Sequence, residues 1–114
     1  MKNTMHFLAQ TTLNGDDVTY IITANSWSNC LSYLEGTGGD IVQIIKLGDT
    51  TSVVLNTPST TNCYNVALKD VNTQQRFNYV VFENSFTGLQ NWISQQTDKQ
   101  VTSIQFSEKT YVNV

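Results

Sequence analysis

Apolar and polar positions along the chain change period in a set order, and the order occurs twice. Met5–Leu13 alternates, as a half-buried strand does, and ends at Asn14-Gly15-Asp16-Asp17. Asn-Gly tolerates the positive φ angles of a two-residue hairpin turn, so a second strand, Val18–Thr23, should fold back on the first. The period then lengthens. Trp27, Cys30, Leu31 and Leu34 fall at i, i+3, i+4 and i+7 behind Asn25-Ser26, whose side chains can accept hydrogen bonds from a first helical turn. Gly36-Thr37-Gly38-Gly39 supplies the C-terminal stop. Alternation returns in Ile41–Leu47 and Thr51–Leu55, with Gly48-Asp49 as the turn of a second hairpin.

The same series follows in the second half. Cys63–Val71 and Phe77–Phe82 are strands around Asn72-Thr73-Gln74-Gln75, a weaker turn signal. Asn84-Ser85 precedes the helical stripe Phe86, Leu89, Ile93, which can extend through Gln95-Gln96. Val101–Phe106, Ser107-Glu108-Lys109 and Thr110–Val114 read as the closing hairpin. A shift of 59 residues lays Val18–Leu55 on Phe77–Val114 without a gap. Identities then fall at Tyr20/Tyr79, Asn25/Asn84, Ser26/Ser85, Val42/Val101, Ile45/Ile104, Thr51/Thr110 and Val53/Val112. Trp27/Phe86, Cys30/Leu89, Tyr33/Trp92 and Leu34/Ile93 match in class.

The expected fold is therefore α+β, an internal duplication of a ββαββ unit with a pseudo-twofold relation. It has two antiparallel sheets, or one continuous sheet, and two short amphipathic helices. Residues 1–57 form the first copy and 58–114 the second, within one domain of 114 residues, joined by a linker over Asn56–Asn62 that holds the only proline, Pro58. One unit of this size is marginal alone, because so little of its surface can be buried. Pairing of two units is the remedy, as in a fused two-fold dimer. The helix aromatics Trp27, Tyr33, Phe86 and Trp92 should lie near the shared core or the unit interface.

Composition narrows the function classes. Charged residues make up 13% of the chain, well under the roughly 25% common in globular domains, and the net charge is −3. The six basic residues lie scattered, so no basic stripe offers itself to phosphates, and nucleic acid is disfavoured as a partner. The nine acidic residues are scattered too, which argues against mimicry of DNA. All of the net charge belongs to residues 1–57, with two basic and five acidic groups, against four and four in 58–114. No apolar stretch reaches the ~18 residues of a membrane span, and Met1–Gln10 lacks the apolar core of a signal peptide. Cys30 and Cys63 make no disulfide framework, so synthesis in a reducing, cytoplasmic setting with both thiols reduced is expected.

Candidate chemistry is sparse. His6 is the only histidine and has no nucleophile near it in sequence. Cys30 sits one turn into its helix, but Leu89 at the matching place in the second copy points to packing. The acidic pair after Asn14-Gly15 lacks the further oxygen donors of a calcium loop. Gly36–Asp40 follows a helix and precedes a strand, the reverse of a phosphate loop. Strand aromatics (Phe7, Tyr20, Phe77, Tyr79, Phe82, Phe106, Tyr111) could stack bases, though core packing explains them without basic neighbours. No catalytic, metal or cofactor site is expected, and no enzyme. The last strand, with Tyr111, Val112 and Val114, is a candidate interaction edge, because exposed strand edges recruit further strands. The expectation is a non-enzymatic structural or protein-interaction protein. It would self-assemble or bind a protein partner, as an accessory component of a phage or virus particle or another large assembly. A small regulatory binder or inhibitor of a host protein is the alternative, and a single-stranded nucleic-acid binder the second alternative.

Overall fold

A computed structural model describes residues 4–48, 50–56 and 62–114; Asp49 in the expected second turn and residues 57–61 of the expected linker, Pro58 included, lie outside them. The first hairpin forms as its turn sequence requires. Strands β1 (Met5–Leu13) and β2 (Asp16–Ala24) pair antiparallel about Asn14 and Gly15, whose φ angles of 55° and 84° are those of a tight hairpin turn. Helix α1 (Trp27–Gly36) follows, then strands β3 (Asp40–Lys46) and β4 (Thr51–Leu55). The second series is β5 (Asn62–Asp70), β6 (Arg76–Phe82), α2 (Phe86–Ser94), β7 (Lys99–Glu108) and β8 (Thr110–Asn113). Both helices start on a serine in extended conformation. Ser26 accepts from the Asn29 N–H and Ser85 from the Gly88 N–H, each at 3.1 Å. α2 stops at Ser94 and does not continue through Gln96.

The fold is α+β, with two helices and two four-stranded sheets whose halves match as a duplicated ββαββ unit would. Strand pairing departs from the expected hairpins. The sheets run β3-β1-β2-β8 and β4-β6-β5-β7. Neither β3–β4 nor β7–β8 pairs. Instead β4 lies parallel to β6, and β8 lies parallel to β2. Each sheet is mixed: three antiparallel strands from one copy, closed by a parallel strand from the other. The reason is burial. A β3–β4 hairpin would leave β4 on the outer side of β3, whereas the edges of β2 and β6 border the helix-covered cores. There Val112 and Val54 pack into apolar clusters.

The compact units consequently differ from the two halves of the sequence. Unit 1 comprises Met1–Leu47 with Lys109–Val114, and unit 2 comprises Gly48–Glu108. In unit 1, α1 covers Phe7, Ala9, Ile22 and Ala24 with Cys30 and Leu34. In unit 2, α2 covers Tyr64, Val66, Leu68 and Val81 with Leu89 and Trp92. Apolar residues are also buried on the opposite faces, Ile21 in unit 1 and Cys63, Val80 and Phe82 in unit 2.

The aromatic contacts reproduce each other. Phe7–Trp27 and Tyr64–Phe86 are one equivalent pair, and Tyr20–Tyr33 and Tyr79–Trp92 another, all between 5.1 and 6.2 Å. Trp27 and Phe86 are each 49% exposed, while Trp92 is buried and Tyr33 half-buried against its own core. The gapless shift is right for β2, β6 and the helices only. Pairing partners make Phe7 equivalent to Tyr64, Ile44 to Ile104, and Val54 to Val112. The identities Val42/Val101, Ile45/Ile104, Thr51/Thr110 and Val53/Val112 are therefore not structural equivalents. Connections differing by a residue or two absorb the drift. The β5–β6 turn is the longer hairpin, organised by Asp70, whose Oδ1 accepts from the N–H groups of Asn72 and Thr73 at 2.8 and 3.0 Å.

Candidate functional site

Of the candidate edge residues, Tyr111 and Val112 lie on β8, an edge strand of the first sheet, and Val114 follows it. Alternation decides what each one touches. Val112 pairs with Ile22 and faces the α1 core. Tyr111, pairing with Ile21, faces the other way, and its hydroxyl donates to Thr23 Oγ1 at 3.1 Å. Thr23 Oγ1 is also 2.9 Å from His6 Nδ1. Thr23 Oγ1 accepts from Tyr111 and keeps a second lone pair as well as its own proton, so it can meet His6 Nδ1 in either tautomer of the imidazole. Burial favours the neutral ring and lowers the His6 pKa from its ordinary value. Val114 completes the attachment, its N–H donating to Thr23 O at 2.9 Å, while its side chain stays partly exposed. The edge residues thus close unit 1's own sheet, and His6 belongs to a hydrogen-bonded row across β1, β2 and β8.

Unit 2 holds a buried carboxylate. Glu83, 3% exposed, follows β6 and tucks beneath the first turn of α2. Its Oε2 accepts from the Asn56 side-chain amide, and its Oε1 from the Asn84 N–H at 2.9 Å. Asn56 follows β4, and its own N–H donates to Phe82 O at 3.1 Å. Gly88 makes room: a Cβ there would overlap the Glu83 carboxyl group. The first copy has Ala24 and Asn29 at the equivalent places, so the carboxylate and the glycine occur together. Glu83 fastens the end of the strand that the first copy donates.

The thiols sit in packed surroundings and form no disulfide. Burial raises the Cys30 pKa, which favours the unreactive thiol. Cys63 Sγ lies 3.2 Å from Ser107 Oγ. A cavity of about 230 Å³ is lined by Gln10, Thr11, Asp17, Thr19 and Val42, with one carboxylate among neutral polar groups. Among the described residues, no three His, Cys, Asp or Glu side chains gather where they could hold a metal ion. No helix among them is long and apolar enough to cross a membrane. Of the strand aromatics that could stack bases, Phe7 and Phe82 are buried, and Phe77 lies under the Lys99 ammonium at 5.4 Å. Phe106 is the most exposed aromatic, beside Tyr64.

The outer strands β3 and β7 are largely solvent-facing and carry exposed Ile41, Val42, Ile45, Val101 and Phe106. Each has a bulge at the same place, Val42 in β3 and Thr102 in β7, where one residue is skipped in the pairing register. Bulges of this kind hinder continuous pairing on an outer edge. No protein-family model, curated protein or solved structure matches this chain.

Proposed function

We propose that this chain is a non-enzymatic structural protein that acts by self-association, as an accessory component of a larger assembly such as a phage or virus particle. One observation carries the reading: neither sheet is completed by its own copy, and each takes an extended strand at the edge of β2 or β6. Strand addition of this kind gives affinity through main-chain hydrogen bonds and specificity through alternate side chains. The neutral polar composition and the bulged outer strands suit a molecule whose contacts are confined to chosen edges. The test is native mass measurement and light scattering over a wide concentration range, with cross-linking in the source material. Self-association, or a repeated contact in a particle, supports the reading. A protein that stays monomeric at high concentration and captures nothing refutes it. One tight 1:1 complex with a soluble protein, without self-association, would make it a regulatory binder instead.

A further inference from the structure

We propose that β8 is an exchangeable strand, and that the β2 edge of unit 1 accepts β8 from a second copy of this chain to give a strand-exchanged dimer. This rests on the self-association reading and names its mechanism.

Unit 2 is continuous in sequence, Gly48–Glu108, whereas unit 1 is assembled from Met1–Leu47 and the distant segment Lys109–Val114. β8 is the strand of unit 1 that arrives from beyond unit 2. Its withdrawal leaves unit 2 with all four strands and unit 1 with β3-β1-β2 and an open β2 edge. β4 differs, being fastened to unit 2 through Asn56 and Glu83.

The contacts of β8 in unit 1 do not depend on which chain supplies it. They are the four parallel partners Tyr20–Thr23, the Val112 side chain in the α1 core, the Tyr111–Thr23 hydrogen bond and the Val114 N–H to Thr23 O. Closed and exchanged forms therefore share these contacts, and protein concentration decides between them. Lys109 alone separates β7 from β8. A connection this short favours exchange, because β7 and β8 can run on as one extended segment when β8 leaves its own sheet. The groove also specifies its occupant. It takes a small β-branched side chain at the Ile22 level, and beside it a hydroxyl that reaches Thr23, which are Val112 and Tyr111 of this sequence.

The experiment uses two full-length variants. One carries Thr23→Cys and the other Asn113→Cys, a pair facing each other across β2 and β8. Neither variant can join the two positions within one chain. They are unfolded together, refolded, concentrated and mildly oxidised. The expected result is a disulfide between the two variants in the dimer fraction and its absence from the monomer fraction. A control mixture pairs Asn113→Cys with Gln10→Cys, on the far side of the hairpin, and should show none. Native mass spectrometry of unmodified chains, half of them isotopically heavy, should show hybrid dimers after the same treatment. Dimers that form without the 23–113 disulfide overturn the exchange and leave self-association standing. Chains that stay monomeric in both measurements overturn both.

Discussion

Gly88 lies in the first turn of α2, where Gly→Ala ordinarily stabilises a helix by roughly 0.5–1 kcal/mol. Here the added methyl would occupy the space of the Glu83 carboxyl group. Glu83 is buried and cannot move aside without losing the Asn56 amide or the Asn84 N–H. Losing such a bond from a buried charged group costs about 1.5–3 kcal/mol. The loss exceeds the helical gain, so Gly88→Ala should destabilise by about 1–2 kcal/mol. That corresponds to a fall in Tm of roughly 4 °C or more. Glu83→Ala restores the residue that the first copy carries as Ala24. In that background the methyl meets no carboxylate, and Gly88→Ala should stabilise by ~0.5 kcal/mol or more. The double-mutant cycle, read by urea unfolding, should give a coupling of about 2 kcal/mol. Asn29→Ala at the equivalent, exposed place in α1 should be neutral to mildly stabilising, because no carboxylate lies beneath it. Stabilisation by Gly88→Ala in the wild-type background, or a coupling below about 0.5 kcal/mol, would refute the reasoning.

Three further outcomes follow from the geometry. Ser26→Ala and Ser85→Ala should each cost about 1 kcal/mol in thermal unfolding, and by similar amounts, because both caps make the same bond. His6 has a lowered folded pKa through burial, so below its unfolded value of 6.5 the unfolded chain binds the proton more readily. Its contribution is present above that pH and is lost as pH falls through the folded value. Tyr111, reached through Thr23, is the other titratable group of the row. The urea midpoint should drop more between pH 7.5 and 5 in the wild type than in His6→Gln, and hydrogen exchange of β8 amides should speed up in parallel. Cys30 and Cys63 are fully buried and the Cys30 pKa is raised, so a colorimetric thiol reagent should label neither in the native protein and both in denaturant.

What could be read beforehand was local. Asn14-Gly15 fixes a two-residue turn, which fixes the register, which already sets His6 opposite Thr23. Ser26 and Ser85 mark helix starts through a hydrogen bond three residues on, and the stripes behind them name Cys30, Leu34 and Leu89 as core. The fourth strand could not be read this way. Pairing of Val112 with Ile22 depends on a groove that exists only after β1, β2 and α1 have packed, and no local turn encodes it. Periodicity found the strand but not its partner, so Tyr111 was visible and its bond to Thr23 was not. The Glu83 site did leave a trace. A glycine inside a helical stripe, where the other copy has asparagine, signals close approach, and the nearby acid at the end of an apolar strand supplies the cause.

The reciprocal donation of strands also bears on how the chain acquires its shape during synthesis. A ribosome releases β1, β2, α1 and β3 early, yet the sheet they form lacks its last member until β8 has been made, after the whole of unit 2. Contacts between segments so far apart in sequence slow folding, because a long loop must close before they give any return. The nascent first half therefore waits with the β2 edge uncovered until the four residues of β8 have been made.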